Sequence, residues 1–162
     1  MEETCAFCAD EQSLAGGLHP QVPFTLVWAD STWRLFADLT AESSGFSLLA
    51  PRRHVATVPE LEPGEAAGLG PTLARLMEAL QFETGAKAVY LYAFDHPHLH
   101  FHLAPHQTGD ALSQQIIKGS EVTRQAGGLQ WATSNEFPPL PRETHLQTAS
   151  RVRERLTGRT AG

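Results

Sequence analysis

The sequence is short of cysteine, of long apolar runs and of basic charge, and each shortage narrows what the chain can be. Its two cysteines both lie in Cys5-Ala6-Phe7-Cys8, too close together to staple distant parts of a fold. In a reducing compartment such a pair reads as a metal knuckle or a redox pair rather than a structural disulfide. No apolar stretch approaches the roughly 20 residues that span a bilayer, and the chain opens on Met1-Glu2-Glu3, acidic where a signal peptide is basic. The expectation is a cytoplasmic protein without a membrane partner. Lys and Arg number 12 against 18 Asp and Glu, a net charge of −6, which argues against binding a nucleic-acid polymer or an anionic membrane surface. A small phosphorylated ligand needs only a few local donors and stays open. There is no GxxxxGK phosphate loop, no internal repeat and no low-complexity tract.

The 162 residues suffice for one domain with a sizeable core and a terminal extension. Two runs rich in β-branched and aromatic residues, 24–29 and 32–37, predict a hairpin turning at Asp30-Ser31. Residues 38–45 read as a polar turn, and 46–50 as a third strand ending at Pro51. Leu69, Leu73, Leu76, Met77 and Leu80 recur at spacings of three and four, which predicts a helix from about Glu62-Pro63 to just before Gly85. Gly70-Pro71 inside that pattern predicts a kink or a late start. A fourth strand is expected over 88–94, then a helix over 110–125 ended by Gly127-Gly128, a proline-rich loop over 131–141, and a final helix over 142–156. That last helix should bury Leu146, Ala149, Val152 and Leu156, while the run Arg151, Arg153, Arg155 and Arg159 reads as its solvated face. His19 and His145 stand in no recognisable context, and Trp131 reads as a packing residue or as a cover for the site.

Between these segments four of the eight histidines fall at every second position: His96, His98, His100 and His102. On one extended strand they would share a face, about 6.6 Å apart, with Leu99, Phe101 and Leu103 turned into the core. Packing has no use for a stripe of weakly basic imidazoles. The chemistry that needs one is nucleophilic, acid–base or metal-binding.

The run His98-Leu99-His100-Phe101-His102-Leu103-Ala104-Pro105 resembles the histidine-triad (HIT) superfamily motif of three histidines alternating with apolar residues and followed by proline. Upstream, Gly45 to Val55 is similar to the family's glycine, apolar strand, proline, basic residue and histidine segment, and Asp38-Leu39 sits where the family places an acidic residue that binds the nucleotide ribose. The resemblance covers residues 5–106. It implies an α+β fold, with a five-stranded antiparallel sheet, one main helix and a C-terminal helical extension, divided as a domain over 1–110 and an extension over 111–162. It also implies a homodimer that binds a nucleotide or dinucleoside polyphosphate and cleaves it at the α-phosphate. His100 is then the nucleophile of a nucleotidyl-histidine, His102 holds the phosphate, and Asp38 and Leu39 bind substrate. A flanking imidazole acting as acid is worth roughly 10²- to 10⁴-fold.

Some HIT proteins carry a zinc site of two cysteines and two histidines, and here Cys5, Cys8, His54 and His98 would hold such a structural zinc. Three features depart from the family. Asp95 replaces the serine that meets the phosphate, so either substrate sits differently or Asp95 turns to His96; the usual asparagine of the preceding strand is missing, with Lys87 nearby; and His106 replaces an arginine. Two alternatives to a hydrolase therefore stay open: a nucleotide- or partner-binding protein without turnover, and a metalloenzyme using the histidine row.

Overall fold

The computed structural model describes residues 5–8, 23–93, 97–106, 122–125, 128–131 and 139–158. Phe24–Ala29 (β1) and Trp33–Asp38 (β2) form the expected hairpin, in which Asp30 Oδ1 accepts from the backbone N–H groups of Thr32 and Trp33 at 2.8 and 2.6 Å. Ser47–Pro51 (β3), Ala88–Ala93 (β4) and Phe101–His106 (β5) complete an antiparallel sheet in the order β1-β2-β3-β5-β4.

The main helix, Pro63–Thr84 (α1), has the start and stop that its sequence announces. Glu62 and Glu65 form a reciprocal capping box, proline occupies the first turn, and Gly85 ends the helix in the left-handed region at φ 67°. The late start expected at Gly70-Pro71 does not occur, since the helix is continuous through Pro71. Pro71 and Ala67, whose carbonyl loses its partner, both lie on the exposed side, where water can replace the bond.

The sheet has two differently used faces. Towards α1 and the final helix Arg142–Gly158 (α2), alternate residues Trp33, Leu35, Ala37, Leu49, Phe101 and Leu103 join Leu76, Ala79, Leu80, Ala149, Val152 and Leu156 in one core. The opposite face carries a smaller cluster of Phe24, Phe36, Leu48 and Ala50, covered by Leu26, Phe46 and Phe7.

The C-terminal part departs from expectation in three ways. Val122–Gln125 (β6) is a strand, paired antiparallel with Gly128–Trp131 (β7) rather than the end of a helix; Gly128 opens β7, and Gly127 lies outside the described residues. Residues 110–120, 159 and His19 lie outside the described residues. On α2 the buried stripe is His145, Thr148, Ala149, Val152 and Leu156, with Leu146 only half-buried. The arginines of α2 are not simply a solvated face. Arg153 donates to the carbonyls of Leu26 and Val27 at 2.6 and 3.1 Å, satisfying edge-strand groups at the β1 bulge. Arg155 pairs with Glu83 at 2.5 Å and stacks 3.5 Å over Phe82.

Gly45 shows why the turn before β3 tolerates no side chain. Its φ is +80°, and a Cβ there would lie 2.5 Å from Thr84 Cγ2 and 3.2 Å from Pro105 Cγ. Gly45→Ala is therefore expected to lose about 2 kcal/mol of stability from strain and collision; urea unfolding of the variant beside the parent checks this.

Candidate functional site

The four histidines expected along one strand are distributed otherwise. Strand β5 begins only at Phe101, so His98 and His100 precede it, while His96 and Asp95 lie outside the described residues. Pro97 gives up a ladder donor, and the Leu99 N–H goes instead to the Val55 carbonyl at 2.6 Å. Alternation nevertheless survives this break. Leu99, Phe101 and Leu103 enter the helix-side core, and His98, His100 and His102 face the other way. His106 adds a fourth imidazole to that side, buried against Tyr90 at 5.2 Å rather than exposed at the surface.

His98 is the most heavily engaged of them. It is 2% exposed, and its Nε2–H donates to the Pro51 carbonyl at 2.9 Å, which leaves Nδ1 as the lone-pair nitrogen. That nitrogen points at both thiols, 3.3 Å from Cys5 Sγ and 3.4 Å from Cys8 Sγ, and His54 Nδ1 lies 3.2 Å from Cys8 Sγ. The four ligand atoms of Cys5, Cys8, His54 and His98 all lie within 4.8 Å of one another.

A tetrahedral zinc ion with ordinary bond lengths would set sulfur and nitrogen about 3.6 Å apart, so the donor set fits in both chemistry and size. The carbonyl behind His98 is the outer-shell partner that such a ligand needs. Burial holds the His98 imidazole below its usual range and so in the neutral form that ligates. Burial, then the neighbouring Cys5, pushes the Cys8 thiol up to about 11, so only a cation at this spot would make it a thiolate at neutral pH.

His100 and His102 stand outside this cluster. The His100 Nδ1–H donates to the His98 carbonyl at 3.0 Å, so its Nε2 carries the lone pair. The His100 ring, 6% exposed, lies 4.7 Å from the ring of Phe7 and 4.9 Å from that of His102. His102 pairs across the ladder with Tyr92, whose ring stacks on it at 4.7 Å and 12°, and Phe46 meets it edge-on at 5.8 Å.

Asp38 ends β2 on the same face as Phe36. Its Oδ1 accepts from the Thr40 N–H and hydroxyl at 2.8 and 2.7 Å, and its charge, after burial, helps push the Tyr92 phenol far above its usual range. Leu39 is buried, its N–H donating to the Pro23 carbonyl at 2.8 Å. The turn between Asp38 and Phe46 is held by α2: His145 Nε2–H donates to the Ala41 carbonyl at 2.9 Å, and Ser44 and Thr148 share a hydrogen bond of 2.8 Å.

Sequence reasoning missed Phe7, Tyr92 and His145. Lys87, expected near the site, lies where β4 begins, its N–H bonded to the His106 carbonyl; the β4 residue facing His102 is Tyr92. Its place opposite His102 is set by the β4–β5 register, which leaves no mark in the sequence. Because the Tyr92 ring rather than its hydroxyl makes the stack, Tyr92→Phe is expected to stay within about 1 kcal/mol of the parent in urea unfolding, whereas Tyr92→Ala loses about 2–3 kcal/mol.

An antiparallel α+β sheet carrying three alternate histidines beside a two-cysteine, two-histidine cluster defines a narrow class. The family model for the HIT domain matches residues 19–109, more than half of the chain, and the protein belongs to the HIT family. No curated relative matches the sequence. Among solved structures, a zinc-bound histidine triad family protein from Mycobacterium smegmatis superposes with a TM-score of 0.65 at 19% identity, over 98% of this chain and 96% of that one. A hypothetical histidine triad nucleotide-binding protein from Sulfolobus tokodaii strain7 gives 0.64 at 17% identity, over 95% and 93%. A histidine triad protein from Sinorhizobium meliloti 1021 gives 0.62 at 20%, over 93% and 97%. At these identities the likeness is one of fold.

Proposed function

We propose that the protein binds nucleotides and acts as a hydrolase or nucleotidyl transferase at an α-phosphate, on a substrate such as a dinucleoside polyphosphate. The observation that carries this reading is the hydrogen bond from His100 Nδ1 to the His98 carbonyl at 3.0 Å. It commits His100 to the tautomer in which Nε2 is a nucleophile at neutral pH. In the first step Nε2 forms a bond to the α-phosphorus as the bond to the leaving group breaks, and the leaving group takes a proton from water, which the second step's water returns to solvent. In the second, water cleaves the phosphorus–nitrogen bond and releases the mononucleotide, restoring neutral His100.

His102 is the phosphate contact in this reading, its ring set against Tyr92 and Phe46. The Asp38 carboxylate and Leu39 receive the ribose. Cys5, Cys8, His54 and His98 would hold zinc, whose contribution is a four-point structural cross-link rather than a part in the reaction. Of the histidine row, only His98 joins a metal-sized cluster among the described residues, which weighs against a metalloenzyme built on the row. Because β4 is an edge of the sheet and its Leu91 is 44% exposed, this edge is where a second copy would pair in a homodimer. A cytoplasmic setting suits two reduced thiols. One observation favours a binding protein without turnover: the Phe7 ring lies over His100.

Replacing His100 with alanine is expected to lower mononucleotide release from a dinucleoside polyphosphate or nucleoside phosphoramidate by roughly 10³-fold or more, with nucleotide binding and the circular-dichroism spectrum kept. Turnover equal to that of the parent would remove His100 from the reaction, and tight binding without turnover in the parent itself would favour the binding protein. Cys8→Ser is expected to lower zinc content well below about one equivalent per chain, measured by elemental analysis after dialysis.

A further inference from the structure

Cys5 and Cys8 flank Phe7, and His98 stands two residues before His100, so the same short segments carry both the metal ligands and the walls of the histidine site. Building on the nucleotide reading, we propose that the metal cluster positions the phosphate site through His98 and Phe7, so that metal occupancy and nucleotide occupancy are energetically coupled.

One link runs through His98. Its Nδ1 lies 3.3 and 3.4 Å from the two thiols, and its own carbonyl accepts the His100 Nδ1–H at 3.0 Å. A ligand imidazole held by an ion therefore fixes the acceptor that orients His100. Without that ion His98 Nδ1 has only the weak hydrogen bonds of the two thiols beside the Nε2 bond to the Pro51 carbonyl, a looser hold on the ring and on the residue whose carbonyl orients His100.

The other link runs through Phe7. Its ring lies 4.7 Å from that of His100, 5.4 Å from that of His98 and 5.0 Å from that of Phe24. Its carbonyl accepts from the buried Arg34 guanidinium. The turn that presents this ring, Ala6–Cys8, is three residues long and buries none of them. The backbone bond across it, Cys8 N–H to the Cys5 carbonyl at 3.0 Å, closes a loop but does not attach it to the sheet. Attachment to the sheet is shared between Phe7, through Arg34 and Phe24, and the thiols on either side of it with their histidine partners.

Ordering such a turn costs conformational entropy. A protein in which the metal has already ordered it binds nucleotide without meeting that cost again, which is positive cooperativity. Reciprocity then requires the nucleotide to tighten metal binding by the same factor.

The test measures zinc affinity by chelator competition on the full chain, with and without saturating AMP, GMP or UMP, in the parent and in Phe7→Leu and Phe7→Ala. Binding of each nucleotide to the zinc-loaded parent is first established by equilibrium dialysis. The proposal expects a bound nucleotide to tighten zinc at least about fivefold in the parent. It expects both Phe7 variants, which keep all four ligands, to bind about one zinc with that factor reduced, and Phe7→Leu guards against a folding defect in Phe7→Ala. Zinc affinity unchanged by a nucleotide that does bind would overturn the coupling while leaving the nucleotide reading intact. Full coupling retained in both variants would overturn the role of Phe7. Failure of all three nucleotides to bind would overturn the nucleotide reading and the coupling with it.

Discussion

The structure depends on how one imidazole, that of His98, is shared. Its Nε2–H is spent on the Pro51 carbonyl, its Nδ1 on the two thiols, and its backbone carbonyl on His100. Three segments far apart in sequence meet at this residue: the N-terminal turn at Cys5 and Cys8, the end of β3 at Pro51, and the triad itself. Each bond constrains the others. With the Pro51 carbonyl taking the Nε2 proton, only Nδ1 can ligate, and the backbone that places Nδ1 also places the carbonyl that sets the His100 tautomer. A ring at 2% exposure cannot turn to water for a replacement partner, and a buried polar atom without a partner costs about 1–3 kcal/mol.

Around this point the sheet divides its labour by the alternation of side chains. Every apolar residue between the histidines goes to the helices, so the core on that side is continuous from Trp33 through Leu103 to Val152. The opposite face carries the imidazoles, with Phe46 edge-on to His102 and Phe24 and Phe36 packed against Phe7. The C-terminal helix acts on this face from a distance. Through His145 and Thr148 it grips the turn that follows Asp38 and leads into Phe46, and through Arg153 it grips the edge of β1. The segment between Asp38 and Phe46, whose ring meets His102, is thus tied to the C-terminal helix.

Much of this could be read from sequence because the signals were local. Strands β1 to β4 and helix α1 are each marked by their own period and punctuation, and Glu62, Pro63 and Gly85 mark the ends of α1 within a residue or so. The cluster of Cys5, Cys8, His54 and His98 was legible from residue type and the family resemblance, and the structure brings those four together. What was not legible depends on tertiary pairing. That β5 begins at Phe101 and not at His96 follows from where β3 and β4 find it, and pairing there starts at Leu49 and Ala93 opposite Phe101. Val122–Gln125 reads as helix or strand by composition, and its partner Gly128–Trp131 decides the matter. His145 looked contextless because its partner, the Ala41 carbonyl, leaves no mark in a sequence.

Three neighbouring histidines are proposed to do three different jobs, His98 ligating metal, His100 attacking phosphorus and His102 holding phosphate. The most direct measurement is acid-free quenching of the protein during turnover of a nucleoside phosphoramidate, followed by peptide mass spectrometry that localises the nucleotidyl group. A nucleoside-monophosphoryl adduct on His100 is expected, formed and lost at the turnover rate and present with or without metal-chelating buffer during the quench. An adduct mapped to His98, His102 or His106, or turnover that proceeds with no adduct on any histidine, would contradict it.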